Sequence, residues 1–361
     1  MSPAPVLVQP IEKPPVGGGS SPLGFILEPL IVISLLAGGV WFNRRRSSEG
    51  SHTSSPLLAP AQPSAPAKRD TSRYANNWIS RTLYRYPFLL EVLYWALTYW
   101  IYQIARAISA VLFIDEGTVD AARNHGVQLL NFERALGIQH ENAVQMWFIK
   151  HPMLISALNR IYSFIHIPAT ISFLAYFYHT QPPRIYAPVR RTLALANLLA
   201  FVVFTLWPCM PPRLLPAMYG FVDTVHKGSM GSVWTTNKFC NQFAAMPSLH
   251  FGYSLIVGLS LFTYAPRGSV LRRTGLHTLF LGYPALILLA IVATANHYFL
   301  DALAGLVVAA LAFQFNRILL ALLPLENFVF YYLHIHKPPA AGRLEDGEKR
   351  RSCGGFVWGS R

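Results

Sequence analysis

Charged side chains are scarce in this chain. Asp, Glu, Lys and Arg make up 13% of its 361 residues, whereas hydrophobic residues make up 53%. Soluble globular domains carry about 25% charged residues, and a soluble chain of this length would form about two or three domains. The shortage of charge argues against that organisation. It predicts instead one all-α membrane protein with several spanning helices.

Cysteine is also rare, because the chain contains only Cys209, Cys240 and Cys353. Three cysteines exclude a disulfide-rich scaffold and a structural zinc site built on thiolates. Asn-x-Ser/Thr acceptors and internal repeats are absent from the sequence. Cys209 and Cys240 bracket one loop, so the alternatives are a bracing disulfide, if that side of the membrane is oxidising, or two free thiols.

Long apolar runs recur along the chain. Each run is close to the length of about 20 residues that a helix needs to cross a bilayer. We predict spanning helices at residues 23–42, 87–114, 152–178, 189–208, 243–264, 277–295 and 298–323. The first of these is read as a membrane anchor, because its arginines follow the apolar run, the reverse of a cleaved signal peptide. The other six predict a six-helix membrane domain at residues 85–323.

The segments outside this domain are polar. Residues 1–22 are rich in Pro and Gly and are expected to be disordered, and residues 43–84 are expected to form a flexible basic linker. Residues 324–361 are expected to form a disordered tail. Within the domain, residues 115–151 have amphipathic spacing and are expected to lie at the membrane surface.

The net charge of +14 reflects the arrangement of the chain in the membrane. If every predicted span crosses, 20 of the 30 Lys and Arg residues fall on one side and 7 on the other. The positive-inside rule then places the first group, which includes the tail, in the cytosol. The basic excess is therefore explained by topology, and no nucleic-acid partner is needed.

Five polar residues from distant segments converge on the non-cytosolic side. Arg213 follows the fourth span, Ser248 and His250 begin the fifth, and His297 and Asp301 lie where the sixth meets the seventh. Ionisable groups at membrane depth are costly and are usually functional. His297 and Asp301 are four residues apart, so they share a helix face on which the carboxylate can prepare the imidazole.

These residue types suit attack on phosphorus. An arginine fork matches phosphate oxygens, and a serine and backbone amides at a helix start add donors for an anion. One histidine can attack while the other protonates the leaving oxygen. No cluster of carboxylates or of Cys and His suggests a metal or another cofactor, so charge stabilisation is expected to come from the protein.

The three polar segments resemble a known family. Pro247-Ser248-Leu249-His250 and His297-Tyr298-Phe299-Leu300-Asp301 resemble the second and third motifs of the type-2 phosphatidic acid phosphatase superfamily. Met210-Pro211-Pro212-Arg213-Leu214 is similar to the reduced first motif of its inositolphosphotransferase branch, which includes the fungal inositol phosphorylceramide synthases. The resemblance covers roughly residues 85–323 and implies the six-helix bundle of the phosphatidic acid phosphatases and haloperoxidases.

The resemblance also implies roles for the residues. His297 would be the nucleophile that forms a phosphohistidine, and Asp301 would orient it. His250 would be the general acid, and Arg213 and Ser248 would bind the phosphoryl oxygens.

The chain departs from the wider superfamily at two sites. Leu206 stands where the first motif would carry a lysine, and Ala290 and Ile291 stand where the third would carry a Ser-Arg pair. The absence of these cations is typical of the inositolphosphotransferase branch, and it is also compatible with a weakened enzyme.

Other polar residues have two readings. Asn159, Tyr162 and His166 follow helical spacing in the third span, so they would either bind a substrate head group or form structural polar contacts between helices. Glu133 and Glu141 are read as a solvated helix face.

Asp223 is read as a turn residue, with a loop feature of the same branch as the alternative.

The resulting hypothesis is a lipid phosphotransferase that moves a phosphoinositol or similar group onto ceramide or a related lipid. A lipid phosphate phosphatase is the first alternative, and a non-catalytic membrane lipid-binding protein is the second. A channel is disfavoured because the polar groups gather at one face. The expected partners are membrane lipids and lipid phosphate esters, with an inositol-containing lipid as donor. The active site is expected to face the lumen or the exterior, in an endomembrane such as the Golgi.

Overall fold

A computed structural model of the chain is helical throughout the part that it describes. The described residues are 22–45, 70–113, 116–224, 242–266 and 268–338. Within these ranges no β-strand is present, although a single parallel bridge joins Cys209 to Ala244. The all-α polytopic bundle predicted from the sequence is therefore confirmed. Residues 1–21, most of the linker, Cys240 and residues 339–361 lie outside the described residues.

The helices follow the apolar runs of the sequence. Their bounds are α1 (Pro22–Phe42), α2 (Trp78–Arg85), α3 (Phe88–Phe113), α4 (Glu116–Ala135), α5 (Glu141–Ile149), α6 (Pro152–Arg160), α7 (His166–Thr180), α8 (Pro183–Leu206), α9 (Leu249–Thr263), α10 (Val270–Ala293), α11 (Phe299–Phe315) and α12 (Leu323–Tyr332). A π-helical turn at Ile161–Ile165 joins α6 to α7. Among the described residues, four continuous helices are long and apolar enough to cross a membrane: Pro152–Thr180, Pro183–Leu206, Val270–Ala293 and Phe299–Tyr332.

The short helix α9 lies at the centre of the bundle. It packs against α7, α8, α10 and α11. Its 15 residues span about 22 Å, less than the roughly 30 Å of a bilayer's hydrocarbon core. At least one end of α9 must therefore lie below the level of the membrane surface.

Glycines bring α9 and α11 into close contact. A Cβ added at Gly252 would lie 3.1 Å from the carbonyl oxygen of Gly305, and a Cβ added at Gly305 would overlap the carbonyl oxygen of Ser248. The missing side chains allow the two backbones to touch at the end of α9 that carries His250.

The prediction of a disordered tail is wrong for the residues that the structure describes. Leu323–Tyr332 forms α12, which continues the last spanning helix. Pro324 does not end the helix, because it lies in the first turn of α12. Backbone N–H groups in a first turn have no acceptor within the helix, so the N–H that proline lacks costs no hydrogen bond. Residues beyond α12 then pack against the chain before α3, where the amide of Asn77 donates to the His334 carbonyl at 2.8 Å.

The prediction of a flexible linker is wrong from residue 70 onward. Trp78–Arg85 forms the amphipathic helix α2, which buries Ser80 and Leu83. The backbone N–H of His336 donates to the Ser80 hydroxyl at 2.9 Å. Helix α2 and the segment around His336 line a cavity of about 530 Å³, and its lining residues include Arg81 and Arg85. This cavity is at the end of the bundle where α8 begins, whereas the predicted site residues lie where α8 ends.

The prediction that Glu133 and Glu141 lie on a solvated face is also wrong. Both residues are 0% exposed. The helices that carry them, α4 and α5, pack against α11 and α10 respectively and cover one end of the bundle. Glu133 and Glu141 point toward backbone N–H groups of α11, whereas Asp120 and Asn124 on α4 are exposed.

The contact between α9 and α11 gives a test of the fold. Gly305→Ala is expected to destabilise the protein by about 1–3 kcal/mol, because the added methyl group would force two backbones apart. The midpoint of thermal unfolding in detergent should fall accordingly. Gly282→Ala is the control, since a Cβ at Gly282, in the middle of α10, meets nothing within 4 Å. That variant should be no less stable than the parent, and equal losses in the two variants would contradict the packing.

Candidate functional site

Main-chain hydrogen bonds join the three polar segments that the sequence singles out. The first segment pairs with the second through Cys209 N–H to the Phe243 carbonyl (2.7 Å) and Ala245 N–H to the Cys209 carbonyl (3.2 Å). It reaches the third through Arg213 N–H to the Ala295 carbonyl (2.9 Å). The second and third are joined through Ser248 N–H to the Asp301 carbonyl (2.9 Å). The convergence predicted from topology is therefore present in the structure.

The imidazole of His297 is held through one nitrogen. Its Nδ1 lies 2.7 Å from the carbonyl oxygen of Ala245 and 3.3 Å from Oδ2 of Asp301. A carbonyl oxygen only accepts hydrogen bonds, so Nδ1 must carry the proton. In the neutral ring Nε2 is then the nitrogen with the free lone pair. The predicted partner Asp301 is present, but the shorter contact is to Ala245, which no side-chain pattern could reveal.

The backbone before His297 adopts an unusual conformation. Ala295 has a φ of 52°, in the left-handed region, and its side chain is fully buried. Helices often end in this conformation, but glycine is the usual residue there. An alanine costs roughly 1–2 kcal/mol in this region. The turn ends α10 and brings His297 to the start of α11, and such strain is typical of functional sites.

A row of aromatic rings extends from His297 along the bundle. The ring centroids of His250 and His297 are 5.9 Å apart. Tyr162 and His166 flank the other side of His250, with centroid distances of 4.5 and 5.0 Å. Tyr162 lies in the π-helical turn, and π turns occur often at functional sites. Nδ1 of His166 is buried and makes no hydrogen bond within the described part of the chain.

The guanidinium of Arg213 is held beside the histidines. Its Nε donates to Oδ1 of Asn296 at 2.8 Å, and its Nη1 forms an ion pair with Oδ2 of Asp223 at 3.0 Å. The side chain of Arg213 is 9% exposed. Asp223 is thus more than the turn residue that the sequence suggested, and its spacing from Arg213 gave no signal of the ion pair.

Ser248 is placed in the wall of the site. It is 0% exposed, and its hydroxyl accepts a hydrogen bond from the N–H of Phe251 at 3.4 Å as the N-cap of α9. The helix start that it caps carries His250. Its predicted role in binding phosphate stays a prediction.

The loop that carries Arg213 is braced by α5 and α6. The Gln145 side chain bonds both the carbonyl and the N–H of Val222, at 2.7 and 3.1 Å. The side-chain amide of Asn159 donates to the Thr224 carbonyl at 3.0 Å and accepts from the Thr224 hydroxyl at 3.2 Å. Of the two readings of Asn159, these contacts favour the structural one. Tyr162 and His166, by contrast, lie next to His250.

The positions at which the chain departs from the superfamily pattern differ in burial. Leu206 is 76% exposed on the outside of the bundle, whereas Ala290 and Ile291 are fully buried within it. Of the guanidinium groups in the described part of the chain, Arg213 is the one that the three segments hold among themselves.

Cys209 is buried in the same region. Its thiol lies 3.9 Å from the Met210 carbonyl oxygen, and burial raises the pKa of this thiol above its ordinary range. Cys240, which would either form a disulfide with Cys209 or remain a second free thiol, lies outside the described residues.

Comparisons with known proteins agree with the geometry. The family model described as the PAP2 superfamily matches residues 127–315, slightly more than half of the chain. The inositol phosphorylceramide synthase catalytic subunit aur1 of Schizosaccharomyces pombe is 28% identical over 165 residues, which cover 42% of this chain and 36% of that protein. No solved structure matches the chain significantly. The family match includes all three polar segments, and we conclude that this integral membrane protein belongs to the PAP2 superfamily.

Proposed function

We propose that the protein is a lipid phosphotransferase that acts through a phosphohistidine at His297. The observation that carries the proposal is the hydrogen bond from Nδ1 of His297 to the Ala245 carbonyl. This bond leaves Nε2 unprotonated and fixes the ring next to a second imidazole, that of His250. Such an arrangement is expected of an activated nucleophile and its acid–base partner.

In the first half of the reaction, Nε2 of His297 attacks the phosphorus of the donor lipid. The P–N bond forms as the P–O bond to the leaving alcohol breaks, and His250 gives that oxygen a proton. The imidazole of His297 becomes positively charged, and the buried carboxylate of Asp301 stabilises that charge. Arg213, already oriented by Asn296, offers N–H groups to the phosphoryl oxygens.

In the second half, an acceptor oxygen attacks the same phosphorus. His250 takes the proton of the acceptor, the P–N bond breaks, and His297 returns to its neutral form. A lipid hydroxyl as acceptor gives a transferase, and water gives a phosphatase. The name of the yeast relative favours the first outcome, with an inositol-containing lipid as donor and ceramide or a related lipid as acceptor.

The position of the site suits a substrate anchored in the bilayer. α9 is shorter than the hydrocarbon thickness, and His250 belongs to its first turn. A lipid head group could therefore reach the histidines while its chains remain in the membrane. The distribution of Lys and Arg supports an active site on the non-cytosolic face and a cytosolic C-terminal tail. The similarity to an inositol phosphorylceramide synthase supports an endomembrane such as the Golgi.

The main alternative within the superfamily is a lipid phosphate phosphatase, which uses the same residues. A non-catalytic lipid-binding protein is the second alternative. The placement of His297, Asp301 and His250 disfavours it, because a buried imidazole–carboxylate pair beside a second imidazole is costly to maintain without a chemical use.

Turnover by the purified protein tests the proposal. A labelled phosphoinositol lipid supplied with ceramide should give labelled sphingolipid, whereas labelled inositol phosphate, formed when water is the acceptor, would indicate hydrolysis. Labelled inorganic phosphate released from a lipid phosphate monoester would indicate the phosphatase. His297→Ala should lower turnover by at least about 1,000-fold, because the nucleophile is lost. Turnover should survive EDTA, since the described residues contain no group of three or more His, Cys, Asp or Glu arranged to hold a metal.

The control for this experiment is His151→Ala. His151 is exposed and bonds only locally, to the Trp147 carbonyl at 2.9 Å. That variant should match the parent, and a His297→Ala variant that also matches it would eliminate the mechanism.

The role assigned to His250 has its own test. His250→Ala should lower turnover of a lipid donor by about 100- to 10,000-fold, because the leaving alcohol then departs without a proton. With a nitrophenyl phosphoryl ester, whose leaving group needs no proton, the first half-reaction should be much less affected. Release of nitrophenol from one donor and of the lipid alcohol from the other is measured side by side. The comparison shows whether the loss depends on the need of the leaving group for a proton. Equal losses on both donors would show that His250 is not the general acid.

A further inference from the structure

Two glutamates that the proposed mechanism does not use are buried beside it. Glu133 on α4 and Glu141 at the start of α5 are each 0% exposed. Burying a carboxyl group in this way is costly unless hydrogen bonds or a proton compensate for the lost water.

Both glutamates bind the first turn of α11. The N–H of Leu300 donates to Oε1 of Glu133 at 2.8 Å, and the N–H of Phe299 donates to Oε1 of Glu141 at 3.1 Å. The preceding N–H, of Tyr298, donates to Oδ2 of Asp301 at 2.9 Å. Three carboxyl groups thus take three consecutive backbone donors directly after His297, where the positive end of the helix dipole favours negative charge.

The second carboxyl oxygen of each glutamate accepts no hydrogen bond from α11 and needs another hydrogen-bond partner. Oε2 of Glu133 and Oε2 of Glu141 are buried and have no donor from the described part of the chain. The N–H groups of Phe299 and Leu300 are consecutive, so the two carboxyl groups that accept from them are neighbours. Two ionised carboxylates cannot form a hydrogen bond, because both only accept, whereas a protonated carboxyl donates to an ionised one.

We propose that Glu133 and Glu141 share one proton and together fix the start of α11, and so act as positioning residues for Asp301 and His297. In this arrangement the proton joins the two Oε2 atoms, and each Oε1 stays available to its backbone N–H. The pair carries a single negative charge, and every buried oxygen has a partner.

The surroundings of the pair favour the protonated form of Glu133. Burial raises the pKa of Glu133, and the hydrogen bond with Glu141 and the nearby charges of Glu141 and Asp301 raise it further, although the Leu300 N–H acts in the opposite direction. Tyr298 and Cys209 are the other titratable groups that face it, and both are neutral over the relevant range because burial raises the pKa of each. No cation among these groups offsets a second negative charge.

The sign of the pH dependence follows from the raised pKa. The stability that the shared proton contributes is fully present below the ordinary pKa of a glutamate and is lost as pH rises through the raised pKa. Loss of the proton puts two charges against one helix turn, beside the carboxyl of Asp301.

The test is the thermal unfolding midpoint of the full chain in detergent, measured from about pH 6 to about pH 10, which brackets the range reported for buried glutamates. The midpoint of the parent should fall with rising pH. Glu133→Gln should remove most of that fall, because its amide donates permanently to Glu141 and its oxygen still accepts from Leu300. Asp120→Asn is the control, since Asp120 is an exposed side chain on the same helix and should keep the slope of the parent.

Two results would overturn the shared proton: an unfolding midpoint of the parent that does not change with pH, or a midpoint of Glu133→Gln that falls as steeply with pH as that of the parent. This readout needs no turnover, so it stands even if the proposed function fails.

The positioning role rests on the proposed function and is read from turnover. Glu133→Ala should lower kcat by about 100-fold with little change in KM, because a small displacement of the reacting groups costs that much. Glu133→Gln should restore most of the rate and extend it to higher pH than in the parent. Equal losses in the Ala and Gln variants would refute the role of the pair, whereas a parent without turnover would refute the proposed function.

Discussion

The candidate site depends on main-chain hydrogen bonds between three segments that are far apart in the sequence. Inside a membrane bundle, backbone N–H and C=O groups outside helices cannot form hydrogen bonds with water. They must therefore form them within the protein. The segments around Arg213, Ala245 and Ala295 satisfy one another. The same bonds that remove this cost bring a guanidinium and two imidazoles together, so that folding of the bundle and assembly of the site are one event.

This constraint also decides the chemistry of His297. The Ala245 carbonyl belongs to the second segment. It accepts the hydrogen bond from the Nδ1–H group of His297 at a shorter distance than Asp301 does. The carboxylate is therefore better placed to stabilise a positive ring than to remove a proton from it. Arg213 is restrained by Asn296 and Asp223, so in the proposed reaction it would lose less entropy on binding a phosphoryl group than an unrestrained side chain would.

Much of this arrangement could be predicted from the sequence, because apolar periodicity marks spans and topology then sorts polar residues by membrane side. The meeting of Arg213, His250 and His297 followed from that reasoning. The contacts that depend on tertiary packing could not be predicted. Glu133 and Glu141 have the spacing of a solvated face, and only the placement of α4 and α5 over α11 shows that backbone donors replace water. The polar and basic composition of residues 324–361 predicts a disordered tail, and it does not reveal that Leu323–Tyr332 continues the last helix.

The most direct test of the account is to trap the covalent intermediate. The protein is mixed with a phosphorus-labelled lipid donor in the absence of acceptor, quenched in alkali, digested and sequenced by mass spectrometry. The account predicts an acid-labile, alkali-stable label on Nε2 of His297, because Nδ1 is occupied by the Ala245 carbonyl. A label on Nδ1, a label on His250, or turnover of the donor with no labelled peptide would contradict it.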